Sequence, residues 1–258
     1  MREKHTGFPK IDASGLKGSI RETFKDDGVD NNLIDLVFGP ENTNEGHMSA
    51  IGFTDARILL FPVRSMKGVF AWVTCPEVLA KFKKEMQMAD IKLELELPKE
   101  HSVTTDSELL IGKNAVILEE YKIEVEKDEL CDRWAKWFSE NVFEDSYLKE
   151  KIRKNLVILN NEDFRDFVFL STEVNTRINI DSEKGIVKER QGPFTEEYLP
   201  MESILYTLVM TSVPFTEDKN QLETEADVMN FFLKHLPKVI QVGGNATLGK
   251  GLLRVRII

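Results

Sequence analysis

Two hydrophobic periodicities alternate along this chain, and they constrain its fold more than any other feature. Apolar residues spaced three to four apart predict helices, as in residues 76–88, where Pro76 occupies the first helical turn. Strict alternation predicts a strand with one solvated face at residues 91–97. No stretch rich in proline and glycine separates these segments. We therefore predict one α+β domain over residues 1–258, with insertions.

The same two patterns predict the remaining elements. Helices are expected at residues 12–26, 31–38, 76–88, 128–140, 145–154, 162–170 and 224–236. Strands are expected at residues 49–62, 68–73, 91–97, 115–125, 155–159, 201–213, 238–242 and 252–258. Residues 172–200 alternate β-forming residues around a turn at 181–185, which predicts a long hairpin. Because much of this hairpin is polar on both faces, we expect it to protrude from the core.

Charge and hydropathy exclude some function classes. The chain has 34 basic and 44 acidic residues and a net charge of −10, which excludes a globally basic nucleic-acid binder but not a local basic face. No apolar run approaches the roughly 20 residues of a membrane span, so we expect no membrane partner. Met1 leads into charged residues, so no signal peptide is expected. Cys75 and Cys131 form no CxxC pair, which favours a reducing, cytoplasmic setting.

Standard catalytic and metal motifs are missing from the sequence. The four histidines, His5, His47, His101 and His235, lack metal-ligand spacing, and no GxSxG nucleophile motif occurs. With 44 carboxylates in the chain, any one acidic pair is weak evidence for acid–base catalysis. We therefore predict no bound metal site from the residues themselves.

Residues 241–252 form a glycine-rich loop, the sharpest local motif. Gly244 to Lys250 matches the GxxxxGK spacing of a phosphate-binding loop. Gly251 stands where a magnesium-holding Ser or Thr would be, and a strand follows instead of a helix, so a nucleotide hydrolase is excluded. Glycines let a backbone approach a ligand with its amides bare, which indicates polyanion binding. A simple turn between two strands remains the alternative.

The first predicted helix has a second face that is small, polar and cationic. Ser14, Lys17, Gly18 and Arg21 share this face, and either Asp12 or Ser14 is expected to cap the helix. Gly18 leaves room between the two cations, so a phosphate backbone could lie against them. An ordinary exposed helix face with two cations is the alternative interpretation.

These segments resemble a known family. The sequence HTGFPKIDASGLKGSIRE, residues 5–22, is similar to the hTGxPxIPGSSLKGAxR segment of the RAMP superfamily of CRISPR proteins, and the glycine-rich loop is similar to that superfamily's own. Residues 53–82 and 192–200 resemble the backbone subunits of type III-B, or Cmr, effector complexes. The similarity covers nearly the whole chain, with the motifs in family order.

The resemblance implies a modified RRM, or ferredoxin-like, core in which residues 172–200 form a thumb-like hairpin. It implies that copies of the chain stack as a helical filament on a guide RNA, with other Cmr subunits as partners. It also implies cleavage of a complementary target RNA, assisted by a divalent metal such as Mg²⁺ that is not stably bound.

By the same resemblance, specific residues receive roles. The residues expected to bind RNA are His5, Ser14, Lys17, Arg21, Gly243, Gly244, Asn245, Gly249 and Lys250. The acidic residues expected near the cut are Asp55, Glu196 and Glu197, which either act chemically or hold the thumb.

One departure from the family pattern leaves the activity open. Family members place a β-strand and an Asp-containing loop before the segment that matches residues 5–9, and this sequence begins at Met1. We therefore expect the first core strand and the Asp most tied to cleavage to be absent from this sequence. The alternatives are an RNA-guided endoribonuclease subunit, a non-catalytic scaffold that binds guide RNA, and a metabolic α+β enzyme whose glycine-rich loop holds a small phosphate ligand.

Overall fold

A computed structural model describes residues 1–41, 46–178, 180, 184, 187, 192–216 and 219–258. The chain divides into two compact units. The first contains Met1, Lys10–Arg57 and Tyr206–Ile258, and the second contains Arg2–Pro9 and Ile58–Leu205. That all of the chain forms a single domain with insertions stays a prediction.

Helices and strands alternate along both units. The described helices are α1 (Ala13–Asp26), α2 (Asn31–Phe38), α3 (Pro76–Met88), α4 (Glu129–Asn141), α5 (Ser146–Lys154), α6 (Asn161–Leu170) and α7 (Glu225–His235). The described strands are β1 (Lys10–Ile11), β2 (Ile51–Phe53), β3 (Ala56–Arg64), β4 (Phe70–Thr74), β5 (Ser102–Val103), β6 (Ala115–Leu118), β7 (Tyr121–Glu124), β8 (Glu126–Lys127), β9 (Leu156–Ile158), β10 (Glu173–Arg177), β11 (Phe194–Tyr198), β12 (Ile204–Tyr206), β13 (Val209–Thr211), β14 (Val239–Gln241) and β15 (Leu252–Arg254). The α+β class is confirmed.

The first unit is organised around α1. Leu16, Ile20 and Phe24 recur every four residues, so all three lie on one face, and all three are buried. The Phe24 ring packs edge-on against Phe38 of α2 at 5.3 Å and stacks on Phe232 of α7 at 6.1 Å. This aromatic cluster fixes α1, and with it the direction of the opposite, polar face.

Two short antiparallel ladders complete the first unit. Strand β13 pairs with β2, with Val209 opposite Phe53, and β14 pairs with β15, with Ile240 opposite Leu253. Helix α1 packs against both β2 and β14. The strand that leads into the glycine-rich loop therefore lies directly on α1.

The second unit is built on a mixed sheet in the strand order β3–β4–β9–β5–β8. Strand β3 begins in the first unit, where β1 pairs with its first two residues, and continues into the second. Strands β3 and β4 are antiparallel, whereas β4 and β9 run parallel. Trp72 of β4 and Trp134 of α4 are fully buried. Nearly all residues of β3, β4 and β9 are buried, which is typical of strands covered on both faces.

The predicted strand at residues 91–97 is wrong. Burial does alternate there, and Leu93 is buried, but the segment pairs with no strand in the described part of the chain. Side chains bind its carbonyls instead: Lys83 Nζ donates to Leu95 O, and Trp134 Nε1 donates to Glu96 O at 2.8 Å. Alternation reports which residues face the interior, and it cannot report whether a strand partner exists.

Three predicted strands are each two strands in the structure. Residues 115–125 form the hairpin β6–β7, with Leu118 opposite Tyr121 and Glu119 at a φ of +50° in its turn. Residues 49–62 divide into β2 and β3, and residues 201–213 divide into β12 and β13. The turn at Glu119 lacks the Gly or Asn that ordinarily occupies a left-handed position, so no residue there signals a turn.

Strands β10 and β11 pair over five residues each, from Glu173 opposite Tyr198 to Arg177 opposite Phe194. We call these ten residues the hairpin arm. No side chain of either strand is buried. The predicted turn at 181–185 lies outside the described residues except for Lys184. The arm is therefore held by its ladder and by polar contacts at its base.

No helix in the described ranges is both long enough and apolar enough to cross a lipid bilayer.

Candidate nucleic-acid interface

The polar face of α1 presents an open surface. Ser14, Gly15 and Gly18 are exposed, and a methyl group added at either glycine would meet nothing within 4 Å. The helix backbone is therefore accessible between the side chains, so an extended polymer could approach it closely.

Lys17 is a cation without a carboxylate partner among the described residues. Its Nζ donates to Ser49 Oγ at 2.6 Å, and Ser49 donates in turn to Ile51 O at 2.6 Å. Burial, and then the charge of Arg21, lower the pKa of Lys17. A bound anion beside the ammonium would oppose both effects by stabilising its charged form, so this site favours a negatively charged ligand.

Arg21, the second cation on this face, is occupied within the protein. It pairs with Asp35 and donates to the carbonyl of Gly39, the residue that ends α2. Only 14% of its side chain is exposed. Arg21 therefore ties α1 to the carboxyl end of α2, where a cation also satisfies a free carbonyl.

Asp55 holds the start of α1. Asp12 occupies the N-cap position without making a side-chain cap, and Asp55 Oδ1 accepts the Ala13 N–H at 2.9 Å. Asp55 Oδ2 accepts a bond from Lys10 Nζ at 2.7 Å. The Lys10 ammonium, and then the Ala13 N–H, lower the pKa of Asp55. Asp12, one of the two predicted caps, is thus the N-cap residue by position, but its side chain makes no cap bond, and the carboxylate of Asp55, 42 residues beyond Ala13, binds the free N–H instead.

The glycine-rich loop is closed by its own backbone. The Val242 N–H donates to Gly251 O at 2.9 Å, and residues Ala246–Leu248 form a short 3₁₀ helix. Asn245 and Gly249 flank this helix in left-handed conformations. A Cβ at Gly251 would lie 2.0 Å from Val242 O, so only glycine closes the loop in this form.

Gly243 and Gly244 carry the bare amides that the sequence predicts. Both are exposed, the space around them is open, and neither N–H finds an acceptor among the residues that the structure describes. Lys250 is half-buried in the same loop. Both predicted phosphate-binding segments belong to the first unit, and β14, the strand that leads into the glycine-rich loop, packs against α1.

Glu196 and Glu197 belong to the second unit and are adjacent on β11. The carboxylate of Glu196 accepts bonds from Arg177 Nε at 2.8 Å and from the Tyr198 hydroxyl at 2.7 Å. This cluster lies within the hairpin arm itself, because Arg177 is on β10 and Tyr198 is on β11.

Glu197 makes its contacts at the base of the arm. Its Oε1 accepts bonds from Arg2 and from the Thr172 hydroxyl, the latter at 2.8 Å. The Arg2 guanidinium, and then Thr172, hold the pKa of Glu197 below its ordinary value. His5, on the loop that contains Arg2, has a side chain that is 74% exposed.

The predicted carboxylates do not form a resident metal centre. Lys10 engages Asp55, Arg177 engages Glu196, and Arg2 engages Glu197. Within the described ranges, no three His, Cys, Asp or Glu side chains are grouped so that they could hold a metal ion. These residues do not fit a resident Mg²⁺ site.

Sequence reasoning missed three residues that organise these contacts: Arg2, Lys10 and Ser49. Arg2 and Lys10 lie on either side of residues 6–9, and only their positive charge could have indicated that they bind carboxylates. Ser49 carries no signal of its own, because only the packing of α1 beside β2 brings it to Lys17.

Comparison with known proteins identifies the family. The family model of the RAMP superfamily matches residues 1–254. The chain is 39% identical over 263 aligned residues to the CRISPR system Cmr endoribonuclease Cmr4 of Pyrococcus furiosus, covering 100% of this chain and 86% of that protein.

Two solved structures are similar as well. The crystal structure of oligomeric Cmr4 from Pyrococcus furiosus superposes with a TM-score of 0.76 at 33% identity, covering 98% of this chain and 88% of that one. The cryo-EM structure of the type III-B Cmr-beta complex bound to cognate target RNA contains a chain that superposes with a TM-score of 0.75 at 22% identity, covering 99% of this chain and 86% of that one, which supports the fold. The chain therefore belongs to the RAMP superfamily.

Proposed function

We propose that this chain is the backbone subunit of a type III-B CRISPR effector complex, where it binds guide RNA and takes part in cleaving a complementary target RNA. The 39% identity to a Cmr endoribonuclease over the whole chain supports this assignment. The observation that carries it is the charge of Lys17, which lacks a carboxylate partner in the described structure and shares a unit with the bare amides of Gly243 and Gly244.

In this proposal, the guide strand is gripped through its phosphates. Lys17 supplies the charge, and Ser49 holds its ammonium in place. The amides of the glycine-rich loop donate to phosphate oxygens, as backbone amides do in other anion-binding loops. The two contacts read no base, so they suit a subunit that must hold a guide of any sequence.

The net charge of −10 is compatible with this role. The Debye length is about 8 Å at physiological ionic strength, so acidic surfaces further away are largely screened from a local cationic site. Copies of the chain are proposed to stack along the guide, and a solved relative at 33% identity is itself described as oligomeric. Other Cmr subunits are proposed as further partners.

The finer features of the fold belong to the same proposal. We assign a modified RRM, or ferredoxin-like, core, and we assign the hairpin arm as the thumb that reaches between guide and target. Two properties of the arm support the second assignment: none of its strand side chains is buried, and its faces carry charged residues such as Glu173 and Arg177.

A non-catalytic scaffold is the second candidate, and a specific observation favours it. Asp55, Glu196 and Glu197 are each engaged by a cation of this chain, so none is poised as a free base. In the scaffold reading, these carboxylates hold α1 and the hairpin arm, and the chain binds guide RNA and its neighbours only.

A target-cleavage assay separates the two candidates. The reconstituted complex is incubated with complementary RNA in Mg²⁺ and, separately, in EDTA. A ladder of products that depends on Mg²⁺ supports the nuclease subunit, and intact target in both supports the scaffold. Binding of guide RNA distinguishes both from a metabolic enzyme, which would instead show a thermal shift with nucleotides and none with RNA.

Guide binding is tested with a matched pair of variants. Lys17→Ala removes the proposed phosphate contact, whereas Lys84→Ala removes an exposed lysine on α3. We expect weaker binding from the first variant alone. Equal binding by the two variants would contradict the assignment of the α1 face.

A further inference from the structure

Arg2 lies where three segments of the second unit meet. Its Nη1 donates to the carbonyls of Gly7 and Val168, both at 3.0 Å, and its Nη2 pairs with Glu197. The guanidinium also lies over the Phe169 ring, 5.0 Å from its centre. One side chain thus joins the loop of residues 2–9, the last turn of α6 and the hairpin arm.

Residues 2–9, which we call the N-terminal loop, are themselves well anchored. The loop closes on itself through Glu3 N–H to Phe8 O at 2.8 Å. Phe8 is buried and packs edge-on against Phe164 of α6, with ring centres 5.0 Å apart. Lys81 of α3 pairs with Glu3 at 3.2 Å. Because the N-terminal loop is firmly packed, it can hold in place an element that has fewer packing contacts of its own.

The hairpin arm is that less firmly packed element. Its strands bury no side chain, and an isolated two-stranded ladder is marginal in water. Beyond its ladder, the arm is held close to its base, where Thr172 and Arg2 bind Glu197 and where Trp72 Nε1 donates to Glu202 O at 2.9 Å. Contacts at the base therefore set the direction in which β10 and β11 point.

We propose that Arg2 is a positioning residue, which clasps the hairpin arm to the N-terminal loop and α6, and that Glu197 serves as its acceptor and does not act on RNA. The inference rests on the proposed function for its consequence, because a thumb must point in a fixed direction to enter between guide and target. The clasp itself is a property of the free chain. The proposal gives the two adjacent glutamates of β11 different roles. Glu196 pairs with Arg177 across the two strands of the arm, and Glu197 pairs with Arg2 and holds the arm in one direction.

Hydrogen exchange on the free chain tests the clasp without RNA. In Arg2→Ala and in Glu197→Ala, amides of residues 173–177 and 194–198 should exchange about fivefold faster, the factor expected for losing an exposed ion pair. Arg165→Ala is the control, because Arg165 is an exposed α6 residue that pairs with its neighbour Asp166. It should leave the arm unchanged. Unchanged exchange in Arg2→Ala would overturn the clasp.

Two further variants separate a clasp from general destabilisation. Because Arg2 acts on the arm through Glu197, and Glu197 also binds Thr172, the double alanine variant should exchange no faster than Glu197→Ala alone, and multiplied effects would overturn the coupling. Arg2→Lys keeps the charge but loses the forked geometry, so it should fall between wild type and alanine.

A functional assay on the reconstituted complex completes the test. Arg2→Ala and Glu197→Ala should both lower cleavage, or target-RNA binding in a scaffold, and Glu197→Ala should lower it at least as much because it also loses the bond to Thr172. Reduced activity in Glu197→Ala with normal exchange in the arm would overturn the proposal, because Glu197 would then act on RNA directly. If the wild-type complex bound no RNA, the proposed function would be refuted. The hydrogen-exchange result on the free chain would still decide whether the clasp exists.

Discussion

Replacing Gly251 with alanine should open the base of the glycine-rich loop. Gly251 has a φ of +74°, and an added Cβ would lie 2.0 Å from Val242 O and 3.1 Å from Val242 C. The left-handed conformation alone costs a residue with a side chain about 1–2 kcal/mol. The clash also displaces the Val242 N–H···O bond to Gly251, worth about 1 kcal/mol. We therefore expect the loop to be destabilised by roughly 2–3 kcal/mol.

Two other glycines of the loop are matched controls. Gly249 has a φ of +71° with nothing within 4 Å of an added Cβ, so Gly249→Ala should show the conformational cost of about 1–2 kcal/mol without a clash. Gly244 is neither left-handed nor crowded, so Gly244→Ala should leave stability unchanged and place a methyl group beside a bare amide. The three variants separate backbone strain, steric overlap and ligand access.

Hydrogen exchange of the Val242 amide measures this local opening, and urea denaturation measures any effect on the whole chain. We expect exchange to accelerate in the order Gly244→Ala, Gly249→Ala, Gly251→Ala. Guide-RNA binding should weaken in Gly244→Ala despite normal stability. If Gly251→Ala proves no more destabilising than Gly249→Ala, the closure described for the loop is incorrect.

Three further predictions concern contacts inside the individual units. Asp55→Asn should destabilise the chain by about 1 kcal/mol in urea denaturation, because it weakens the cap of α1 and the pair with Lys10. The pKa of Asp55 is held below its usual value of 3.8, so its contribution to the free energy of unfolding is present above that pH and is lost as the pH falls through the lowered pKa. Asp55→Asn should not show this loss of stability in acid. If stability depended on acidic pH identically in Asp55→Asn and in wild type, the proposed role of Asp55 would be contradicted. Arg21→Lys should cost about 1–2 kcal/mol, because an ammonium cannot bind Asp35 and Gly39 O in the same forked geometry, and a melting temperature equal to that of wild type would refute it. Trp134→Phe should cost about 1–3 kcal/mol in urea denaturation, because it removes the donor to Glu96 O and leaves space around a fully buried ring, and unchanged stability would contradict this role.

Local signals in the sequence were sufficient for the helices. The Pro76 start and the apolar stripe gave the bounds of α3, and the Leu16, Ile20 and Phe24 spacing gave the buried face of α1. These features depend on neighbours within one or two helical turns, so periodicity alone determines them.

Contacts between distant residues were not predictable. Nothing near Asp55 indicates that it caps a helix 42 residues earlier, and nothing near Arg21 indicates its bonds to α2. The failed strand at residues 91–97 has the same cause, because its partners are side chains from two helices. In the candidate site, the polar helix face and the glycine-rich loop were predictable as segments. Only the folded structure shows that Arg21 is paired with a carboxylate, whereas Lys17 has no carboxylate partner among the described residues.

The salt dependence of guide-RNA binding tests the central claim most directly. Each phosphate contact to a single strand contributes about 0.7 to the slope of log K against log salt concentration. Lys17→Ala should therefore lower the magnitude of that slope by about 0.7 relative to wild type, while Lys84→Ala leaves it unchanged. A slope in Lys17→Ala equal to that of wild type would contradict the claim that the polar face of α1 grips the RNA backbone.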